Sequence, residues 1–175
     1  AAIAPNDSKE RFTGRGVRVI EGAARFKDRD TVVVGDATEV KARRFVIATG
    51  SSPALPPIPG LEVVPYLTNE TVFSLTELPP RLAVIGGGPI GCELAQTFTR
   101  LGSNVTGIEA IGHLLAREDA DAAHIVQQAM TRDGVKVLLR AAVSGVTLRG
   151  AERVVAVDQE DGRREIAVDT ILVGI

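Results

Sequence analysis

Three glycines and one glutamate have the spacing that is typical of a dinucleotide-binding site. Gly86, Gly88 and Gly91 follow the G-x-G-x-x-G pattern. The first glycine permits a tight turn, the second leaves space for a pyrophosphate beside the backbone, and the third allows a helix to pack closely on a strand. Glu109 follows 23 residues after Gly86, close to the spacing of about 20 residues expected for an acid that binds the adenosine ribose.

The elements around these residues have the order that such a site needs. Leu82–Ile85 is a short apolar run typical of a buried parallel strand, and Asn104–Ile108 predicts the next strand. Between them we expect a helix that ends at Gly102 and whose first N–H groups point at the phosphates. Its sheet-facing stripe is predicted to be Ile90, Leu94, Phe98 and Leu101.

The pattern continues toward the end of the chain. We expect a second helix, capped by Asp119 or Asp121 and ending near Asp133, and then a third parallel strand at Val135–Leu139. These elements complete a Rossmann-like βαβαβ unit, so the predicted fold class is α/β. A β-meander should follow, before a final strand returns to the parallel sheet; the expected strands are Val143–Leu148, Val154–Asp158, Glu165–Val168 and Thr170–Val173.

The first part of the chain has a different character. Val17–Ile20, Thr31–Val34 and Phe45–Ala48 predict short strands. A proline-rich stretch follows, with a short helix expected at Thr68–Leu75. We therefore expect two regions, 1–67 and 68–175, of which the second is the dinucleotide-binding domain.

Composition excludes several classes of protein. The 175 residues are 45% hydrophobic and 24% charged, with a net charge of −2. This balance is typical of a globular protein and offers no basic face for nucleic acid. No apolar run is long enough for a membrane span, so we expect no membrane partner and a cytoplasmic location.

The residues that most often perform chemistry are scarce. The single cysteine, Cys92, excludes an internal disulfide and any multi-cysteine metal cluster, and we expect it to be a packing residue. The two histidines, His113 and His124, have no partner placed around them by any motif. We therefore predict no catalytic residue and no metal site in this sequence.

Three stretches resemble the FAD-dependent pyridine nucleotide–disulfide oxidoreductases, the family of dihydrolipoamide dehydrogenase and mercuric reductase. Phe45–Gly60 is similar to a strand that closes part of the family's FAD domain, and Gly86–Thr106 is similar to its NAD(P) turn and helix. Asp169–Ile175 is similar to the strand that leads back to the FAD domain. The resemblance implies that residues 1–67 are a partial FAD-domain segment with a connector and that 68–175 are the NAD(P) domain.

The resemblance also implies what these residues do not contain. The family's first FAD turn and redox cysteine pair would precede residue 1, and its dimerisation domain would follow residue 175. We therefore expect these residues to be a central fragment of a homodimeric parent enzyme. The fragment should be inactive by itself, and it should self-associate through apolar surface that the missing parts would cover.

Roles for individual residues follow from the resemblance. Glu109 should accept hydrogen bonds from the ribose hydroxyls and repel a 2′-phosphate, which favours NAD over NADP. On the flavin side, Ala24 and Thr49–Ser51 match FAD contacts, although we expect no tight FAD binding here. The complete set of expected cofactor contacts is Gly86, Gly87, Gly88, Pro89, Ile90, Gly91, Cys92, Glu93, Glu109 and Val143 for NAD, and Ala24, Thr49, Gly50 and Ser51 for FAD.

Three functions stay open at this point. In the first, the parent enzyme passes hydride between NAD(P)H and FAD and exchanges electrons with a redox disulfide, as in dihydrolipoamide dehydrogenase or mercuric reductase. The second is an NADH oxidase, or another NADH-dependent flavin reductase, without the dithiol step. The third is a non-catalytic NAD-binding module.

Overall fold

The computed structural model describes residues 8–175 and divides into two compact units, one ending at Gly50 and the other comprising Ser51–Ile175. The first seven residues of the expected FAD-domain segment lie outside the described part. The first unit contains helix α1 (Lys9–Gly14) and an antiparallel sheet of β1 (Ala24–Phe26), β2 (Thr31–Val34) and β3 (Thr38–Lys41), in the order β1-β2-β3.

The strand prediction for the first unit is only partly right. Thr31–Val34 is a strand, but Val17–Ile20 and Phe45–Ala48 are not. In the latter segment Val46 and Ile47 are 91% and 73% exposed. Strand-forming residues need a hydrogen-bonded neighbour, and within the described residues no strand pairs with either segment.

The second unit is built on a parallel sheet. Its strands are β4 (Arg81–Ile85), β5 (Asn104–Ile108), β6 (Lys136–Leu138) and β10 (Thr170–Val173), in the order β10-β4-β5-β6. Helix α2 (Pro89–Leu101) connects β4 to β5, and α3 (Ala120–Asp133) connects β5 to β6. The predicted βαβαβ unit is therefore confirmed.

An antiparallel meander packs on this sheet. It consists of β7 (Ala142–Arg149), β8 (Glu152–Gln159) and β9 (Gly162–Val168), and the pairing of β7 with β8 shifts between Val143 and Gly145. The expected meander is present, and the final strand does return to the parallel sheet, where it pairs with β4. The predicted fold class, α/β with a meander after a β-rich segment, is thus confirmed.

The alternating faces of the sheet define two hydrophobic cores. Ala83 and Ile85 of β4 face one core together with meander residues such as Val155. Leu82 and Val84 of β4 face the other core, which contains helix residues. Because successive side chains of a strand point to opposite sides, the second unit has three layers: helices, sheet and meander.

The predicted stripe of α2 is only partly right. Leu94 and Phe98 pack against the core on the helix side of the sheet, whereas Ile90 and Leu101 are 41% and 63% exposed. The fully buried residues of the helix are Gly91, Cys92 and Ala95. The helix lies so close to the sheet that small side chains occupy the contact, and the larger ones lie at its margins. Of the two residues expected to cap α3, Asp119 is the N-cap, and its side chain accepts a hydrogen bond from the Asp121 N–H.

The segment before β4 belongs partly to this unit. Leu61 and Val64 are buried in the meander-side core, and Leu67 pairs with Leu172 of β10. A short 3-10 helix, Val72–Ser74, stands within the region where a short helix is expected. The functional boundary at residue 67 stays a prediction.

Candidate functional site

The turn between β4 and α2 requires glycine at two of its three pattern positions for reasons internal to the protein. Gly86 has a φ of +111°, which L side chains rarely adopt. A Cβ atom on Gly91 would lie 2.0 Å from the Gly86 carbonyl oxygen, so α2 reaches the strand only because residue 91 has no side chain.

Gly88 is different, because nothing in the protein requires it to be glycine. Its φ of −73° and ψ of −178° are extended backbone that any residue adopts. A Cβ atom there would have only the Gly174 carbonyl oxygen, at 4.0 Å, within 4 Å. The space that this missing side chain leaves opens into a cavity, where a ligand can approach the backbone.

Gly174 completes the turn, although sequence analysis did not single it out. Its N–H donates to the Ile85 carbonyl oxygen at 2.8 Å, and a Cβ atom on it would lie 3.1 Å from the Cα of Gly91. The backbone after β4, the backbone after β10 and the start of α2 therefore approach one another closely at Gly86, Gly174 and Gly91. The signal for Gly174 was its place directly after the last parallel strand.

Glu109 lies at the carboxyl end of β5 and holds the turn. Its Oε2 accepts the Gly87 N–H at 2.7 Å, and its Oε1 accepts the Ile111 N–H at 3.0 Å. Each carboxylate oxygen keeps a further lone pair for a ligand hydroxyl. These bonds orient the carboxylate before any ligand binds.

The peptide groups of Gly87 are bonded at both ends. Besides its N–H bond to Glu109, its carbonyl oxygen accepts the Leu115 N–H at 2.8 Å and the Cys92 thiol at 3.3 Å. A Cβ atom on Gly87 would lie 2.6 Å from Leu114 and 2.8 Å from the Glu109 carboxylate. A side chain at this position would therefore displace Leu114 and the Glu109 carboxylate.

Cys92 lies behind the turn and is only 4% exposed. Burial first, and then the carboxylates of Glu109 and Glu93, raise the pKa of its thiol to about 11. The thiol is therefore protonated near neutral pH and serves as a hydrogen-bond donor. It is not a nucleophile in this state.

A cavity of about 730 Å³ opens at the carboxyl ends of the parallel strands. Ligands of open parallel α/β sheets bind at this edge. The expected NAD contacts that line it are Gly86, Gly87, Gly88, Pro89, Ile90, Glu109 and Val143. Most of the remaining lining is apolar, as is typical of cofactor sites.

The part of the cavity beside the start of α2 has groups that suit a dinucleotide. Helix α2 begins at the turn, with Gly88 as its N-cap residue, Pro89 in its first turn and no side chain capping it. The first N–H groups of a helix have no intrahelical acceptor, and the helix dipole favours an anion there. Together with the open space at Gly88, these donors suit a pyrophosphate.

The other predicted contacts lie elsewhere. Gly91 and Cys92 are buried behind the turn, and Glu93 lines a separate groove of about 330 Å³ between α2 and α3. Ala24, Thr49 and Gly50 are exposed residues of the first unit, and Ser51 is the exposed first residue of the second. Their roles stay predictions.

Sequence reasoning missed a part of the lining that lies mostly in loops. These residues are Ile58, Ala110, Leu115, Ala116, Arg117, Glu118, Ala141, Ala142, Gly174 and Ile175. Most of them have no motif, because their place depends on how the loops fold over the sheet edge. In residues 8–175 no cluster of His, Cys, Asp or Glu could hold a metal ion, and no helix is long and apolar enough to cross a membrane.

Known proteins share both the sequence and the fold. Residues 5–175 match the family described as pyridine nucleotide-disulphide oxidoreductase. The mercuric reductase of Lysinibacillus sphaericus is 40% identical over 155 residues, which are 89% of this chain and 28% of that enzyme. The flavoprotein disulfide reductase RclA of Escherichia coli aligns with a TM-score of 0.71 and 34% identity, over 89% of this chain and 35% of its own.

A third relative was solved with a dinucleotide. The water-forming NADH oxidase of Lactobacillus brevis, bound to NADH, aligns with a TM-score of 0.66 and 25% identity, over 87% of this chain and 36% of its own. This chain thus spans between 28% and 36% of the length of these three proteins. Since the family match covers nearly all of the sequence, the resemblance seen in the motifs is confirmed: the chain belongs to the pyridine nucleotide–disulphide oxidoreductases, a family of flavin-dependent oxidoreductases.

Proposed function

We propose that the second unit binds NAD(H) in the 730 Å³ cavity. The observation that carries this proposal is Gly88, whose backbone conformation and surroundings would accept any small side chain. A glycine that the protein does not need is explained by a ligand that approaches its backbone. The exposed helix N-terminus beside it supports an anionic ligand.

Each part of the cavity has a role in this proposal. Backbone N–H groups at the start of α2 hold the pyrophosphate, and Glu109 accepts the hydroxyls of the adenosine ribose. Val143 contacts the adenine. Glu93 lies outside this cavity, and its approach to the nicotinamide and flavin in the whole enzyme rests on the resemblance alone. The bound dinucleotide supplies hydride chemistry, while the protein binds and orients it.

We further propose that the whole enzyme is a homodimeric flavin-dependent dithiol/disulfide oxidoreductase. Residues through Leu67 would contribute part of the FAD site, with Ala24 and Thr49–Ser51 as contacts, and residues 68–175 would form the dinucleotide domain. The identity to a mercuric reductase supports this reading. Because Cys92 is the single cysteine of these 175 residues and is buried, the dithiol step would use cysteines outside them.

A second candidate is an NADH oxidase or related flavin reductase without a dithiol step. The alignment with an NADH oxidase structure favours it. A cysteine pair in the parent reading frame would separate the two candidates. A non-catalytic NAD-binding module is the third candidate, and the mass of the natural protein would test it.

Titration of the chain with NADH and with NADPH, followed by fluorescence or calorimetry, tests the binding site. We expect saturable NADH binding and weaker NADPH binding, because the Glu109 carboxylate repels a 2′-phosphate. Glu109→Ala should narrow the difference between the two affinities. Glu77→Ala, at an exposed position outside the cavity lining, is the control and should leave both affinities unchanged.

Two outcomes would contradict the proposal. Equal affinities for NADH and NADPH in the unaltered chain would overturn the preference for NAD. Absence of binding by a chain that circular dichroism shows to be folded would overturn the site itself.

A further inference from the structure

Two non-glycine residues of the described chain have left-handed backbone conformations. They are Leu115, with a φ of +53°, and Arg140, with a φ of +47°. This conformation is unfavourable for side chains with a Cβ atom, and such strain persists only where the surroundings impose it. Leu115 lines the dinucleotide cavity, whereas Arg140 does not.

Three contacts hold the chain around Leu115 in place. The Leu115 N–H donates to the Gly87 carbonyl oxygen at 2.8 Å, and its own carbonyl oxygen accepts the Glu118 N–H at 2.9 Å. Its side chain packs against the helix-side core, and the preceding Leu114 is only 3% exposed. We call Leu114–Glu118 the strap, because it is bonded directly to the glycine turn.

The strap forms one wall of the cavity. Residues 115–118 all line it, and Leu115 and Glu118 also line the separate groove of about 330 Å³ between α2 and α3. Leu115 thus stands between two open spaces. The strap lies on the side of Glu109, since Leu114 and the Glu109 carboxylate both approach Gly87.

We propose that Leu115 is a positioning residue that keeps the strap closed against the glycine turn before the dinucleotide binds. The proposal rests on the NAD(H) site proposed above. The side-chain anchor and the bond to Gly87 together offset the strain at Leu115, so the wall is already formed in the free protein. Because the strap is already ordered, the free energy of NADH binding is not reduced by the conformational entropy lost in ordering it.

Leu115→Gly tests this role, because glycine accepts the backbone conformation but has no anchor and more freedom. Amide hydrogen exchange should show the strap protected in the unaltered free protein and exchanging faster in the variant. NADH affinity should fall about 5- to 20-fold. The decrease in NADH affinity should match the decrease in the fraction of molecules whose strap is protected from exchange. This follows because the apparent dissociation constant rises as the fraction of binding-competent protein falls.

Two further variants make the test specific. Leu78→Gly makes the same substitution at an exposed position outside the cavity lining, and we expect its NADH affinity and strap exchange to equal those of the unaltered chain. Leu115→Met keeps an apolar anchor of similar volume and should restore the affinity to within about twofold. Thermal melting of all three variants reports on global stability.

The possible results are distinct. A Leu115→Gly variant with a lower melting temperature but unchanged NADH affinity and unchanged strap exchange would show a merely structural residue and overturn the proposal. An equal loss of affinity in Leu78→Gly would also overturn it. If the unaltered chain does not bind NADH, the proposed function has failed, whereas normal binding with an unprotected strap contradicts only the role of Leu115.

Discussion

Gly88 and Gly91 lie three residues apart in one turn, yet a methyl group would meet opposite surroundings at the two positions. At Gly91 it would lie 2.0 Å from a backbone oxygen, and at Gly88 it would contact no protein atom closely. The structure therefore separates a glycine that the fold needs from one that the proposed ligand needs.

Alanine substitution at these two positions should separate stability from binding. We expect Gly91→Ala to lower the free energy of unfolding by about 1–3 kcal/mol, the usual range for overpacking. Gly88→Ala should leave it within about 0.5 kcal/mol and weaken NADH binding at least about tenfold, or about 1.4 kcal/mol. Urea denaturation and NADH titration measure the two quantities. A destabilised Gly88→Ala protein would contradict the ligand-based explanation.

Cys92 should make stability depend on pH in the alkaline range. Burial raises the pKa of its thiol to about 11 in the folded chain, from 9.0 as the reference value. The folded state therefore binds the thiol proton more tightly than the unfolded state. The contribution of the protonated thiol to the free energy of unfolding is complete below pH 9 and is lost as the pH rises toward 11. Urea denaturation between pH 8 and pH 10.5 should show this decline.

Cys92→Ala is the matched control for that decline. The variant will be less stable at pH 8, because it loses packing and a hydrogen bond to Gly87. The difference between the two proteins should shrink as the pH rises. A constant difference up to pH 10.5 would mean that the thiol pKa is not raised.

At the scale of elements, Asp169 joins the starts of β4 and β10. Its carboxylate accepts the Arg81 backbone N–H at 3.0 Å and two guanidinium N–H groups at 3.0 and 2.6 Å. The same guanidinium also pairs with Glu152 of the meander at 2.9 Å. One arginine thus connects the sheet with the layer that covers it.

Asp169→Asn should weaken this junction. We expect the melting temperature at pH 7 to fall by about 2–4 °C, the shift that one ordinary interaction gives a chain of this size. The side-chain hydrogen bonds of Arg81 hold the pKa of the Asp169 carboxyl below its reference value of 3.8. The stabilisation is therefore complete above about pH 4 and is lost as the pH falls further.

Melting curves at pH 7 and at pH 3 measure both effects. The difference between the unaltered chain and Asp169→Asn should be smaller at pH 3. Asp161→Asn, which removes an exposed pair with Arg164, should change the melting temperature by less than about 1 °C, since exposed pairs contribute little. An equal effect of both substitutions would argue against a special role for Asp169.

Elements with a strong pattern were predictable, and contacts between loops were not. The sequence predicts Asn104–Ile108 and Thr170–Val173 with the bounds that the structure has. Thr170–Val173 is a continuous run of strand-forming residues, and Asn104–Ile108 is delimited by Gly102 before it and Glu109 after it. Phe45–Ala48 has the same local pattern but no strand beside it. Local propensity does not report whether a partner is present.

The site divides in the same way. The turn from Gly86 to Ile90 and Glu109 have fixed spacing, so the sequence predicted them to lie together. The strap is near them because Gly87 bonds to Leu115 across 28 positions of the chain and because Leu114 and Leu115 pack against the helix-side core. No periodicity announces such a contact, and strain at Leu115 is visible only in the folded backbone.

At the scale of the molecule, every residue that lines the cavity belongs to the second unit. We therefore expect a chain beginning at Ser51 to bind NADH with a dissociation constant within about twofold of that of the whole sequence. Circular dichroism first shows that this shorter chain is folded, and calorimetry then gives the affinity. A loss of more than tenfold in a folded shorter chain would mean that the first fifty residues contribute to binding.

Exposed apolar side chains of the first unit should contribute to self-association. Val46 and Ile47 are 91% and 73% exposed, and two large apolar side chains so open to solvent favour association. We expect light scattering to show concentration-dependent association of the full sequence and less of it after Val46→Lys. Val63→Lys, at an exposed position of the second unit, is the comparison. A monomer at high concentration would contradict this expectation.

The fully bonded peptide at Gly87 has a consequence for the speed of binding. Because its N–H and carbonyl groups are already occupied within the protein, the turn need not rearrange when NADH arrives. Association should then follow a single exponential whose rate rises linearly with NADH concentration, with no plateau from a preceding conformational step. Substitutions in the turn would then alter mainly how long NADH stays bound, rather than how quickly it finds the site.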